Sequence, residues 1–141
     1  KRIIDEGHQT GNHTQNHLKG WKTVTKTYLE NVLLCESISK KQTSDNNKLF
    51  RPPYGKIRSF QAKLLQQAIP PYRIIMWNVL SADFDSSISP EDCLNNVILN
   101  VNKGSIIVFH DSIKSFKNLQ YALPKALGFL KKEGYKFEAI N

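Results

Sequence analysis

A chain of 141 residues, 40% of them hydrophobic, fits one globular domain over residues 1–141 that buries a core of its own. Its net charge of +8, from 20 Lys and Arg against 12 Asp and Glu, favours an anionic partner, yet Lys40-Lys41, Lys131-Lys132 and Lys136 fall in separate places near predicted helix ends, with no aromatic-interleaved basic stripe, so no nucleic-acid partner is expected. There is no apolar run long enough to cross a bilayer and no basic region followed by an apolar stretch, so neither a membrane span nor a signal peptide is expected in this segment.

Lys1 to Glu6 reads as the last turn of a helix closed by Gly7 just past its end. His8-Gln9-Thr10 then leads through Gly11 and the capping-type Asn12 into a predicted helical turn that carries His13 and His17. Thr23 to Ser39 places Val24, Tyr28, Val32, Leu33 and Cys35 at helical intervals, and the polar run Lys40 to Lys48 reads as a loop. Leu49-Phe50-Arg51 is a short strand stopped by Pro52-Pro53, because proline cannot continue a ladder and holds its predecessor extended. Ile57 to Ala68 predicts a helix with Ile57, Phe60, Leu64, Leu65 and Ala68 on one face, broken by Pro70-Pro71 ahead of a strand at Tyr72 to Trp77.

Ser89-Pro90-Glu91-Asp92 starts a helix, with a capping Ser, proline at the first helical position and acids in the first turn; it should run to about Val101 and close at Lys103-Gly104. Ser105 to Phe109 is a continuous branched apolar run, the pattern of a strand buried on both faces, and it delivers His110 at its C-terminal end. Leu119 to Glu133 reads as one more helix and Tyr135 to Ile140 as an alternating final strand. Repeated alternation of strand and helix implies an α/β fold, a mostly parallel sheet with helices outside, either doubly wound or closed into a barrel. Cys35 and Cys93 lie in different predicted helices and in no Cys-x-x-Cys pair, so buried free thiols are expected.

Two imidazoles four residues apart on one helix face, His13 and His17, can direct two lone pairs at one metal ion; the same spacing on a polar turn also suits solvated or capping histidines. Arg51 ends a strand ahead of a rigid turn, a costly place for an idle cation, although a plain surface arginine fits there too. His110 either closes a buried strand or serves as a proton donor near neutral pH. Asp83, Asp85 and Asp111 read equally well as turn or capping residues.

The stretch Gly7-His8-Gln9-Thr10-Gly11-Asn12-His13-Thr14-Gln15-Asn16-His17 resembles the second motif of the polysaccharide deacetylases, carbohydrate esterase family 4, also called the NodB homology domain. Arg51-Pro52-Pro53-Tyr54-Gly55 resembles the third motif, Trp77 to Phe84 the fourth and Val108-Phe109-His110-Asp111 the fifth, in the family's order and across almost the whole chain. The resemblance implies a distorted (β/α) barrel with fewer strands than the eight-stranded kind. It also implies a metal-dependent hydrolase acting on carbon–nitrogen bonds other than peptide bonds, which removes N-acetyl or O-acetyl groups from a polysaccharide such as chitin oligomers or peptidoglycan. By the same resemblance His13 and His17 hold a divalent metal, zinc in the first place, whose bound water is the nucleophile. His110 is then the general acid, Arg51 orients the base, and the Tyr54 backbone N–H meets the oxyanion. Phe84, Val108 and Asp83 fall with the substrate-binding residues, Val108 standing where the family has Leu at the pocket for the acetyl methyl.

Two departures qualify the match. The family's first motif, Thr-Phe-Asp-Asp, supplies the base and the acidic metal ligand; it is not in this sequence and is expected upstream, so the barrel is expected to be N-terminally incomplete and residues 1–141 inactive alone. In the fourth motif Leu80 replaces an Asp and Phe84 a Trp; the Asp expected to touch the catalytic acid is thereby lost, leaving Asp83 or Asp85 to compensate. A non-catalytic relative that binds carbohydrate or metal is the alternative reading, and the cell envelope or the exterior is the location the resemblance implies.

Overall fold

Two histidine-bearing loops need rigid supports, and short parallel strand pairs flanked by helices supply them. A computed structural model describes residues 2–40 and 48–140. They form two compact units, one running to Met76 and the other spanning Trp77–Glu138.

In the first unit, helix α1 (Arg2–Asp5) ends as its sequence predicts. Gly7 adopts φ +81°, donating its N–H to Ile4 while His8 donates to Ile3, both at 2.9 Å, the paired bonds that close a helix through a left-handed glycine. Helix α2 (Thr25–Lys40) buries Tyr28 and Val32, four residues apart, against Phe50, Leu65 and Tyr72. Phe50 meets Tyr28 and Tyr72 edge-on, at 6.4 and 6.2 Å between ring centroids. Val24 and Leu33, expected at helical intervals with them, are 70% and 58% exposed: Val24 precedes the helix, and Leu33 lies about 100° around it from the Tyr28–Val32 row. Most of the predicted loop Lys40 to Lys48 lies outside the described residues.

Strand β1 (Leu49–Phe50), helix α3 (Ser59–Gln66) and strand β2 (Arg73–Ile74) form a β–α–β unit, with Leu49 opposite Arg73 and Phe50 opposite Ile74 in parallel register. The strand predicted at Tyr72 to Trp77 is thus only two residues long. In α3, Leu65 is buried as expected, but Phe60 is 62% exposed and Gln61 is fully buried. Gln61 takes the inward position because its amide donates to the carbonyls of Gly20 (3.0 Å) and Thr23 (3.3 Å), while its carbonyl accepts from the Arg58 N–H (3.2 Å).

The second unit repeats the plan with strand β3 (Val79–Leu80), helix α4 (Pro90–Ile98) and strand β4 (Ile107–Val108), the strands again parallel. The predicted start of α4 forms a capping box: Ser89 Oγ accepts the Asp92 N–H at 3.0 Å and Asp92 accepts the Ser89 N–H at 3.2 Å. The helix ends at Ile98, short of Val101. Helix α5 (Phe116–Lys132) packs on α4, and Val79, Val97 and Ala126 form the core between them. Pro124 sits inside α5 on its exposed side, where the carbonyl its missing N–H leaves behind can face water.

Tyr135 to Ile140, predicted as a strand, has no strand structure, and Phe137 is 54% exposed. Alternation alone gave those residues no ladder partner. Both cysteines are free thiols, Cys93 buried and Cys35 partly so. Among the described residues no helix is long and apolar enough to cross a membrane.

Candidate active site

In the first unit the candidate residues are built on β1. Asn12 bridges to Phe50 in parallel fashion, its N–H donating to Leu49 (2.8 Å) and its carbonyl accepting from Arg51 (2.9 Å). The approach is close at Gly11, where a Cβ would stand a tight 3.2 Å from the Leu49 carbonyl oxygen. The helical turn expected over His13 to His17 does not form: the segment is a loop in which Thr14 (φ 61°) and His17 (φ 52°) are left-handed. Its amides are drawn sideways instead of along a helix axis. Asn12 Oδ1 accepts the Thr14 N–H (3.0 Å), Asn31 Oδ1 accepts the Asn16 N–H (2.9 Å), and the Asn31 carbonyl accepts the Gln15 N–H (3.3 Å). Asn12 Nδ2 donates back to Val32 in α2 (2.8 Å), so the loop is tied to the core.

The loop nevertheless brings the two imidazoles together, with ring centroids 4.9 Å apart. His13 Nδ1 lies 2.6 Å from the Arg51 carbonyl oxygen. A carbonyl can only accept, so Nδ1 carries the proton and the ring's lone pair sits on Nε2. Arg51 donates from Nε to the Ile75 carbonyl (3.2 Å), and burial pulls its guanidinium below its ordinary pKa. Tyr54 follows on the turn Pro53–Gly55 at φ 58°, its ring 4.6 Å from that of His17 and 5.6 Å from that of Trp21.

In the second unit His110 leaves the end of β4 and is held by Asp83. The Asp83 side chain is fully buried; it accepts the His110 N–H on Oδ2 (2.6 Å) and the His110 Nδ1–H on Oδ1 (2.7 Å). The Ser81 hydroxyl lies 2.7 Å from the Val108 carbonyl and 3.1 Å from Asp83 Oδ1, and Asn118 Nδ2 donates to the carbonyls of Asp83 and Asp85, each at 3.2 Å. The His110 side chain is 41% exposed and packs edge-on against Phe84 at 4.9 Å. Ala82, at the centre of this turn, is left-handed at φ 57°. Every described non-glycine residue with positive φ therefore lies in one of these three loops, where strain of about 1–3 kcal/mol per residue persists only if the surroundings impose it.

The chain matches the polysaccharide deacetylase family over residues 1–69. It is 30% identical over 142 residues to a peptidoglycan-N-acetylglucosamine deacetylase of Bacillus cereus, covering 100% of this chain and 65% of that protein. Its backbone superposes on the crystal structure of the Bc1960 peptidoglycan N-acetylglucosamine deacetylase with a TM-score of 0.89 and 31% identity, over 99% of this chain and 64% of that one. Along its whole length the chain is similar to polysaccharide deacetylases. A further relative, the peptidoglycan-N-acetylmuramic acid deacetylase PdaA of Bacillus subtilis, is 28% identical over 145 residues, all of this chain and 53% of that protein. The chain thus spans between 28% and 65% of the length of the curated relatives it matches. Its two β–α–β units correspond to part of the family's distorted (β/α) barrel.

The geometry sharpens the residue assignments. Asp83 cannot touch a substrate, as expected for it, because its side chain has no exposed surface; its carboxylate positions His110. It is Asp83 that contacts His110, and not Asp85, whose carboxylate accepts from the Ser87 N–H (2.9 Å) and hydroxyl (2.7 Å) in a local turn. Asp111 does not cap α5, whose N-cap position is Ser115. Val108 is buried at 6%, while Phe84 and Leu80 are each 37% exposed. As a metal centre, the donor set fits in kind but not in number: two imidazoles converge with one tautomer fixed, and among the described residues no group of three His, Cys, Asp or Glu side chains forms. No local pattern marks Ser81, Asn118 or Trp21, whose roles depend on long-range partners.

Proposed function

We propose that this chain carries the main part of a metal-dependent polysaccharide deacetylase that removes N-acetyl groups from a cell-envelope glycan, peptidoglycan first among them. His13 and His17 would hold the metal, with zinc the ion best suited to imidazole donors at neutral pH. Such an ion, when bound, supplies Lewis acidity and an activated water. Everything else falls to the protein's own groups. The Arg51 carbonyl sets the His13 tautomer, so that the lone pair rather than the proton is on Nε2. Asp83 occupies Nδ1 of His110, which leaves Nε2 as the atom that can deliver a proton to the departing sugar amine. Phe84 supplies an apolar wall beside that ring.

The observation that carries this reading is the His13 contact with Arg51, because a backbone carbonyl held against Nδ1 is what a metal-ligating imidazole needs and a solvated one does not. The test is metal content and acetate release from the longest native form of the protein, with N-acetylglucosamine oligomers and peptidoglycan as substrates. Tight zinc with acetate release is expected; neither activity nor metal would refute the reading. A second reading, a carbohydrate- or metal-binding relative without turnover, is favoured by one observation: no carboxylate joins the imidazole pair among the described residues.

A further inference from the structure

Beside the histidine loop the first unit builds an aromatic corner that the proposed chemistry does not use. The rings of Trp21 and Tyr54 meet nearly at right angles (86°), 5.6 Å apart. Lys19 Nζ stands 5.3 Å from the Tyr54 ring centre and Lys56 Nζ 5.7 Å from that of Trp21. Trp21 is half-buried, whereas Tyr54, Lys19 and Lys56 are exposed.

The backbone under Trp21 is held more firmly than a surface aromatic requires. It lies in the one-turn helix Gly20–Lys22. The fully buried Gln61 bonds the carbonyls of Gly20 and Thr23 on either side, and Arg58 Nη2 donates to the Trp21 carbonyl at 2.8 Å. A Cβ on Gly20 would come within 3.0 Å of Gln61 Oε1, so the turn and α3 are fitted closely. A buried amide and an arginine thus hold the backbone that carries this half-buried indole. The charge around it is one-sided: residues 7–29 hold three Lys and residues 48–76 hold six Lys and Arg, and neither stretch contains an Asp or Glu.

We infer that the Trp21–Tyr54 corner with Lys19 and Lys56 is a glycan subsite that stacks a sugar ring and selects a neighbouring sugar bearing a carboxylate. The inference rests on the deacetylase reading and adds to it a preference for acidic over neutral glycan. Aromatic faces bind the apolar faces of pyranose rings, and the two exposed ammonium groups would meet an acid placed beside them.

The test is calorimetric titration of the full chain with two probes. One is a peptide-free tetrasaccharide alternating N-acetylglucosamine and N-acetylmuramic acid; the other is the neutral N-acetylglucosamine tetramer. Wild type should bind the acidic probe more tightly, by about two- to fivefold for each lysine engaged, and high salt should remove the difference. The double variant Lys19→Gln, Lys56→Gln should bring the acidic probe down to the affinity of the neutral one. Trp21→Ala should weaken both probes, and Trp21→Phe, which keeps a ring in the turn, should weaken them less. Equal affinity of wild type for the two probes, or a preference that survives the lysine changes, would overturn the subsite and leave the deacetylase reading standing. Binding of neither probe would overturn both.

Discussion

Replacing Asp83 by Asn changes one buried atom pair and should be felt at His110 before anywhere else. The carboxylate now receives the His110 N–H, the His110 Nδ1–H and a share of the Ser81 hydroxyl. An amide of the same shape has one oxygen to offer and two N–H groups, so at least one donor must face another donor in a site with no exposed surface. A buried donor left without an acceptor costs about 1–3 kcal/mol, and the lost charge assistance adds to it, so a destabilisation of about 2–4 kcal/mol is expected in urea melts. The chemical consequence is sharper. If the amide keeps its oxygen on the His110 N–H, its Nδ2–H points at Nδ1 and forces the ring proton to Nε2. Long-range nitrogen–proton NMR of the histidine rings reads this directly, as an exchange of the protonated and bare nitrogens of His110 with the other three rings unchanged. In an active form of the protein the same variant should lose about 10²–10⁴ in kcat, the usual worth of a positioned acid or base. An unchanged His110 tautomer together with unchanged stability would refute the claim that Asp83 positions this ring.

Three further outcomes follow from other parts of the molecule. His13→Ala and His17→Ala should each lower bound zinc measured by equilibrium dialysis, whereas His8→Ala, at an exposed position outside the pair, should not; unchanged metal in both loop variants would return the pair to a structural role. Glu36 is partly desolvated, which raises its pKa, but hydrogen bonds from Lys40, Lys48 and Tyr72 outweigh this and bring it from 4.5 to about 2. Its contribution is therefore complete above about pH 4.5 and lost as the pH falls toward 2. Acid unfolding should accordingly be shallower in Glu36→Gln than in wild type across that window, by up to about 3 kcal/mol. Gln61→Leu should cost about 1–3 kcal/mol in thermal melts by stranding the Gly20 and Thr23 carbonyls, and melting at the wild-type temperature would deny that this amide organises the turn.

What could be read from the sequence was whatever depends on near neighbours. Gly7, the Ser89–Asp92 cap and the stop at Pro52-Pro53 act within a turn or so of chain, and the structure shows each of them as predicted. The failures share a different physics. The spacing of His13 and His17 predicts a helical turn, but Asn31, from the middle of α2, captures the Asn16 amide and keeps the loop from winding. Gln61 lies where periodicity would put an apolar residue, because its amide serves a turn some forty residues earlier in the chain. Tyr135 to Ile140 alternates like a strand yet has no strand structure, for a ladder needs a partner that no local pattern encodes. The resemblance groups Asp83 with substrate contacts, whereas its bond to His110 joins residues 27 positions apart and leaves no local signal.

These long-range polar contacts carry the loop geometry because the strands cannot. Each parallel pair is only two residues long, too short a ladder to fix the ends of the loops that leave it. Among the described residues the buried polar side chains are Asn12, Thr14, Gln61, Ser81, Asp83, Ser115 and Asn118; all but Ser115 bond within, or directly support, a loop of the candidate site or the turn of Trp21. Apolar clusters around Phe50 and around Val79 hold each unit together without fixing where a loop amide points. Hydrophobic packing tolerates substitution of similar volume, whereas a buried hydrogen bond tolerates none, so the two kinds of contact divide the labour between fold and site. An apolar exchange such as Val97→Ile should therefore shift stability while leaving the His110 ring signals in place. A polar one such as Ser81→Ala should move those signals by more than its modest loss of stability would suggest, because it removes a hydroxyl that fixes Asp83 against both the Val108 carbonyl and the imidazole it positions.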